Sequence, residues 1–386
     1  MTTFLRSLAK LGGLLLFWLA FICLLLEIML RAGFGILPYG TQGILQHVRR
    51  VPWDDTHLIP PFPYILSREH QARVAPGHRE YPVQWGDAKF RFDTIALWEM
   101  PVGFRTQPPQ WPVQVVALGD SFTFCWVEWE DCWVARLHQQ EGWSVMNLGI
   151  PGTGTLSHQS LIVPYVQPLE PQVVVWQWYG NDYIDDYDFD RIQERVSALD
   201  APPKPQPDPD LGWFADYSSV YRLLRHWHYQ ATHEARPNGF TQTVNGRLMF
   251  FADQLGPYDF EYPATLYGFN RAIEGLEQSQ AFLQTDLNAE LLMVLIPAKE
   301  EVYADFLNER LDELYWARLS EGRNRLLETC QARQWHCLDL TPALQEALAN
   351  GQTVYHAFDF HLDASGNVVM AQAVADYIQS QGWLAQ

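Results

Sequence analysis

The chain has 386 residues, a formal net charge of −19 and only 18% charged residues. With 48% hydrophobic and 14% aromatic content it is not a disordered acidic segment, and its acidity excludes a basic nucleic-acid binder. The average conceals a split: residues 1–50 carry Arg6, Lys10, Arg31, Arg49 and Arg50 against the single Glu27, a net of +4, and the rest of the chain carries −23.

The first predicted element is the run Leu11 to Leu30, LGGLLLFWLAFICLLLEIML. At about 1.5 Å per residue such a helix spans roughly 30 Å, the thickness of a bilayer's hydrocarbon core. Its only charge is Glu27, near one end, where the side chain can reach the headgroups or pair with Arg31 one turn on. The following EIMLRAGFG lacks the small-residue exit of a cleaved leader, so residues 11–30 read as an uncleaved transmembrane anchor. Arg6 and Lys10 favour a short cytoplasmic tail, residues 1–10, with the bulk of the chain extracytoplasmic. Arg31, Arg49 and Arg50 pull the other way, but a translocated globular domain is largely indifferent to its charge.

Residues 31–110 are rich in proline and aromatics without a sustained period. They read as an irregular wrapping segment with short strands, such as Lys89–Phe92. WPVQVVAL, from Trp111 to Leu118, is a first strand; the helical WEDCWVARLHQQEG leads to a second, SVMNLG, and PGTGTLSHQSLIVPYVQPLEP forms a loop and helix before a third, QVVVWQW. Apolar strands alternating with helices at this spacing predict a parallel sheet covered on both faces. The rhythm breaks at Asn181. Residues 182–216 hold ten acidic and three basic residues and the proline loop APPKPQPDPDLG, followed by the helical SSVYRLLRHWHYQATHEAR. The stretch from about 182 to 263 therefore reads as an insertion over the top of the sheet. Alternation resumes with a helix over 264–287, a strand over 290–296, a helix over 301–330, the strand QWHCLDL, a short helix from Pro342, the loop YHAFDFHLD and a last helix over 364–378. Five strands with interleaved helices fit one α/β domain over 111–386. Cys23 falls in the membrane span; Cys125 and Cys132 are seven apart, as are Cys330 and Cys337, so neither pair is a C-x-x-C knuckle. Disulfides and buried thiols both fit these four.

Ser121 follows the first strand in VVALGDSFTF. A serine at the carboxyl end of a parallel strand, beside a glycine, can project its hydroxyl into the crevice where such sheets place ligands. Alone, Gly-Asp-Ser is equally a simple turn. Three later features fall where strand order places them on the same rim: the glycine-rich turn NLGIPGTGT, whose Gly152 amide can face an oxyanion; WYGNDY, where Asn181 can add a side-chain N–H; and FDFHLDASGN, with Asp359 and His361. A serine nucleophile needs a base, and the base an orienting carboxylate.

These four blocks, Gly-Asp-Ser at 119–121, the Asn147-to-Gly152 turn, Gly-Asn-Asp at 180–182 and Asp359-x-His361, resemble the GDSL-type, or SGNH, family of serine esterases and acyltransferases, in order over residues 111–380. The resemblance implies a flavodoxin-like three-layer sandwich around a parallel sheet of about five strands. It implies Ser121 as nucleophile and His361 as base, with Asp359 orienting the histidine. The oxyanion hole would comprise the Ser121 and Gly152 amides and the Asn181 side chain. Many members place the aspartate three residues before the histidine, where this chain has Phe358. The two-residue spacing, and the phrase IPAKEEVY with Lys299 and Tyr303, are similar to the branch holding membrane-associated and periplasmic O-acetyltransferases of polysaccharide assembly. Reserve partners for the imidazole are a backbone carbonyl or Asp363.

Other residues carry plainer readings. Asp120 and Asp182 fix loops by accepting backbone N–H bonds, or Asp182 helps bind substrate. His356 is an exposed loop histidine or a pocket residue. Lys299 meets an anionic substrate group, starts a helix or aids solubility. His226, His228 and His233 lack a third defined ligand or an HExxH pattern, and no metal, nucleotide or redox cofactor is implied. Trp126, Trp129, Trp133, Trp176, Trp178 and Tyr179 serve either as packing or as a platform for sugar rings. The expected function is hydrolysis of O-acyl, chiefly O-acetyl, groups on a glycan or small ester. The alternatives are O-acyl transfer to a cell-envelope polysaccharide, involving a membrane-bound acyl-transfer partner, and a non-catalytic glycan-binding or assembly scaffold. The acidic insertion favours a neutral acylated substrate over a strongly anionic polymer.

Overall fold

Five short strands form a central sheet, β1 Val115–Leu118, β2 Val145–Asn147, β3 Val173–Trp178, β4 Glu290–Leu295 and β5 His336–Asp339; β1 and β3 are fully buried, β2 and β4 nearly so, and the edge strand β5 is half-buried. The computed structural model describes residues 2–37, 41, 44–45, 48, 63–98, 100–202, 212–232, 239–253 and 255–384. All neighbouring pairs in the sheet are parallel and the spatial order is β5-β4-β3-β1-β2, the doubly wound 2-1-3-4-5 arrangement of flavodoxin-like folds. Register is set by pairs such as Val115↔Val173 and Leu292↔Val175.

Because successive side chains of a strand point to opposite faces, the sheet divides the core in two. Val115, Ala117, Val173, Val175, Leu292 and Val294 pack under the helices Trp133–Glu141, Thr341–Ala349 and Ala364–Gln381. Val116, Leu118, Val174, Trp176, Met293 and Leu295 pack under the helices Pro263–Asp286 and Glu313–Arg333 and the turn Ile162–Val166. The result is the expected three-layer α/β sandwich. The helix expected over 301–330 is broken: short turns occupy Lys299–Val302 and Ala304–Leu307, and a new helix starts where Asp312 accepts the Tyr315 N–H.

The chain divides into two compact units, residues 63–205 with 237–386, and residues 1–62 with 206–236. The larger unit holds the sandwich. Its segment before β1, expected to be mostly irregular, carries three antiparallel ribbons: Tyr64–Ser67 with Gln71–Val74, Tyr81–Trp85 with Ala88–Phe92, and Ile95–Ala96 with Gly103–Phe104. Their alternation is legible only over four or five residues, too few to separate from loop composition. The stretch from 182 to 263 is not one body. The helix Asp182–Ile192 and the hairpin Gly239–Val244/Arg247–Ala252 belong to the larger unit, and the helix Ser219–Thr232 to the smaller. Of the loop APPKPQPDPDLG, residues 203–211 lie outside the described residues, as do Arg49, Arg50 and His233.

The smaller unit contains an N-terminal helix, Thr2–Ala32, of which Lys10–Ala32 is long and apolar enough to cross a membrane; residues 14–26 are exposed throughout, while Arg31 near its end is buried. Both open cysteine pairs are disulfides, Cys125–Cys132 and Cys330–Cys337, and Cys23 is free.

Candidate active site

β1 ends at Leu118, and Asp120 turns the chain into a single helical turn, Ser121–Phe124, by accepting the Phe122 N–H on Oδ1 at 2.9 Å. Asp120 thus fixes this turn by accepting a backbone N–H. Gln177 on β3 completes the turn: its Oε1 accepts the Asp120 N–H at 3.0 Å and the Thr123 hydroxyl at 3.1 Å. Arg105, buried, holds the exit with guanidinium bonds to the carbonyls of Phe124, Cys125 and Val127.

The second block docks on this turn. Asn147 Nδ2 donates to the Thr123 carbonyl at 2.7 Å, and the Ile150 N–H to the Gly119 carbonyl at 3.0 Å. A Cβ on Gly149 would collide with the Phe124 N and Thr123 backbone, and one on Gly154 with the Asp182 carbonyl and Asp186. Only glycine lets the three blocks approach this closely. Among the described residues, neither the Ser121 nor the Gly152 N–H donates to a protein acceptor. Asn181 precedes the helix Asp182–Ile192, and its Nδ2 donates to Asp185 at 2.7 Å, committing one of its two amide hydrogens.

The fourth block comes back to Ser121 across the sheet's carboxyl edge. His361 Nε2 stands 2.7 Å from Ser121 Oγ, and His361 Nδ1 stands 2.6 Å from Asp359 Oδ1, which also accepts the His361 backbone N–H at 2.8 Å. A carboxylate only accepts, so Nδ1 carries the proton and Nε2 is left to accept from the hydroxyl. All three residues are buried, Ser121 being 9% exposed. Burial works against the Asp359 charge, but the facing imidazole and the backbone N–H outweigh it and hold the carboxyl below its ordinary range. The two-residue spacing therefore brings Asp359 to the imidazole. Asp363, the reserve, instead caps the last helix through the Ser365 and Gly366 N–H groups and meets Arg247.

The loop that presents Asp359 and His361 is held from three sides. Lys299, 2% exposed, donates through Nζ to the carbonyls of His356 (2.7 Å), Ala357 (2.9 Å) and Asp359 (3.2 Å). Burial, against the pull of Glu300, Asp359 and Asp87, lowers its ammonium to about 8. Asp87 accepts the N–H groups of Ala357 and Phe358, and the Tyr303 hydroxyl accepts that of Val354. Lys299 is thus neither a surface solubility charge nor a bare helix start; its three protons are directed at backbone carbonyls. His356 is half-buried, not exposed, with Nε2–H donating to the Trp126 carbonyl at 2.9 Å.

Of the two readings of the rim aromatics, the structure bears out packing. Trp126, Trp133, Trp176, Trp178 and Tyr179 are buried and form no open sugar platform; Trp126 stacks on the His361 ring at 4.5 Å and 16°. The exposed aromatic beside the triad is Phe360, 45% exposed and stacked on both His361 and Tyr179. Asp182 does not brace a loop. Fully buried, neither of its carboxyl oxygens has a hydrogen-bond partner among the described residues, and burial plus Asp120 and Asp186 push its pKa far up. Asp186 takes the bracing role, accepting the Leu156 N–H at 2.6 Å. Sequence reading missed Asp87, Arg105, Gln177 and Asp186, which act on backbone groups and belong to no motif; for Gln177 the one signal was an amide in the otherwise apolar VVVWQW.

Asp120 gives a pH prediction. Burial raises its carboxyl from 3.8 to about 6, against the opposing Phe122 N–H and His361. A folded pKa above the unfolded one means the stability it contributes is full below 3.8 and is lost as pH rises through about 6. Asp120→Asn keeps the acceptor without the charge. Urea unfolding should therefore show the variant gaining on the native protein across that window and holding a constant lead above it. A difference that does not vary with pH would contradict the assignment.

A family model described as the SGNH hydrolase-like domain of the acetyltransferase AlgX matches residues 260–386. No curated protein matches the chain. Among solved structures, the acetyl xylan esterase AlAXEase is similar at 13% identity over 69% of this chain and 100% of its own, with a TM-score of 0.39. A GDSL-like lipase from Bacteroides thetaiotaomicron is similar at 12% identity over 71% and 92%, TM-score 0.36. A member of the lipolytic protein G-D-S-L family from Veillonella parvula is similar at 14% over 68% and 96%, TM-score 0.35. The stretch matched by the family model contains Lys299, Tyr303, Asp359 and His361, and Ser121 meets it from the other side of the site. Over residues 260–386 the chain carries an SGNH hydrolase-like domain of the AlgX type.

Proposed function

We propose that this protein is a membrane-anchored serine enzyme that removes or transfers O-acyl, chiefly O-acetyl, groups of a glycan or small ester outside the cytoplasm. The observation that carries the proposal is the unbroken chain from Asp359 through His361 to Ser121, at 2.6 and 2.7 Å. His361 Nε2 takes the hydroxyl proton as Ser121 Oγ bonds to the ester carbonyl carbon. The carbonyl oxygen becomes an oxyanion facing the Ser121 and Gly152 N–H groups and the remaining amide hydrogen of Asn181. His361 returns the proton to the leaving alcohol as the C–O bond breaks. Water or a sugar hydroxyl then attacks the acyl-serine by the reverse sequence. Losing one oxyanion donor costs about 10²–10³ in kcat at comparable sites.

Two disulfides in the larger unit support an oxidising compartment, and the apolar span Lys10–Ala32 supports an anchor. The proposed organisation is a cytoplasmic tail over 1–10, the span over 11–30, a wrapping segment over 31–110 and the catalytic domain over 111–386. A second reading, transfer to a cell-envelope polysaccharide, draws on the acetyltransferase description of the matching family model. The protein incubated with an acetylated glycan and a short-chain aryl acetate, with and without a sugar acceptor, tests both. Free acetate regardless of acceptor supports hydrolysis, and acetylated acceptor supports transfer. A folded protein that yields neither overturns the enzyme reading in favour of a binding scaffold.

A further inference from the structure

We infer that the helix Ser219–Thr232 is a second membrane contact, lying at the lipid interface beside the anchor and pressing Tyr221, Leu224 and Trp227 into the headgroup layer. This rests on reading the N-terminal helix as a membrane span.

The first observation is where this helix is fastened. Glu27, the single acid of the apolar span, is used as an N-terminal cap for it. Its carboxylate accepts from the Ser219 N–H (2.9 Å), the Val220 N–H (3.1 Å) and the Ser218 hydroxyl (2.9 Å). Arg31 closes the joint, donating to Glu27 at 2.6 Å and to the Tyr217 carbonyl at 2.9 Å. An acid that is costly in an apolar segment is thereby satisfied, and the start of the second helix is fixed to the depth of Glu27. Leu223 packs with Phe34, Leu45 and Val48, and Arg222 donates to the Ile44 carbonyl, so one face is covered by its own unit.

The second observation is the other face. At about 100° per residue, Tyr221, Leu224, Trp227 and Ala231 fall within an arc of about 120°, away from the buried Ser219, Arg222 and Leu223. Leu224 is 56% and Trp227 58% exposed, and Phe214, in ring contact with Tyr221, is 62% exposed. Such a stripe of Trp, Leu and Tyr is how an interfacial helix meets the headgroup and acyl boundary.

Reach decides the occupant. Glu27 lies about 4–5 Å before the last apolar residue, Leu30, and Trp227 is at most about 12 Å along its helix from Ser219. Even pointing straight out of the bilayer, Trp227 therefore sits no more than about 8 Å beyond the hydrocarbon edge, within or at the limit of the headgroup layer. The nearest apolar medium to the stripe is the bilayer that holds the anchor.

The test uses the full-length protein in lipid nanodiscs of phosphatidylcholine and phosphatidylglycerol. An environment-sensitive fluorophore is placed at L224C or W227C in a C23A background, and separately on native Cys23, the free cysteine. The expected result is blue-shifted emission at 224 and 227, quenched by lipids with a nitroxide near the headgroup and little by aqueous iodide. Cys23 should respond to a nitroxide deep in the chains. Full iodide quenching at 224 and 227, or protection from both quenchers as by a protein contact, overturns the inference while a membrane-embedded Cys23 leaves the anchor standing. Iodide access to Cys23 overturns the anchor, and the inference with it.

Discussion

Ser121→Ala and His361→Ala should each abolish labelling by a serine-reactive fluorophosphonate and lower kcat/KM on an aryl acetate by about 10⁶-fold, as losses of a nucleophile or base do in comparable triads. The double variant should be no worse than either single one, because the two groups at 2.7 Å act as one device: without the imidazole the hydroxyl keeps its proton, and without the hydroxyl the imidazole has nothing to deprotonate. Both variants should remain folded. The serine is small, and removing it leaves the cap at Asp120 and the Gln177 bonds untouched. Losses that multiply in the double variant, or labelling that survives in either single one, would point to a different nucleophile.

Asp359→Asn should cost about 10⁴-fold in kcat, the effect of presenting an imidazole in the wrong tautomer. The asparagine side chain can donate to Nδ1, moving the ring proton to Nε2, where it faces the Ser121 hydroxyl and cannot accept from it. Asp363→Asn supplies the contrast. Asp363 is a helix cap with an Arg247 contact, and asparagine caps as well as aspartate, so the change should leave both stability and kcat little altered. The two acids differ by four positions in sequence, and steady-state kinetics on the pair decides which one serves His361. Equal effects at both positions would contradict the geometry.

The sheet was legible because its strands are apolar on both faces and separated by helical spacing; VVAL, VVVWQW and ELLMVL have no other reading in a covered parallel sheet. Ser121, Asp359 and His361 were legible because each lies at a strand end or just before a helix, where a short spacing implies direction. What sat behind them was not. Lys299 looked like a substrate contact or a surface charge, yet it reaches three carbonyls of a loop some sixty residues later, and no local pattern encodes that distance. The tryptophans near the site were equally ambiguous, since burial and sugar stacking select the same rings; only the packing of Trp126 on His361 and of Trp176 in the core separates the two. Asp182 misled for the opposite reason. Next to a motif it looked like a brace, while the brace is Asp186, one helical turn away.

The stack of Trp126 on His361 carries a consequence for the moment of reaction. In the proposed reaction the imidazole becomes a cation as Ser121 yields its proton, and its surroundings must receive charge in two directions. Along the ring edge lies the Asp359 carboxylate; across the ring face lies the electron-rich indole, 4.5 Å away and nearly parallel. A desolvated cation on an aromatic face gains about 0.5–2 kcal/mol, a term absent while the ring is neutral. In that proposed reaction Trp126 serves as a second counter-charge to the imidazolium, without being an acid.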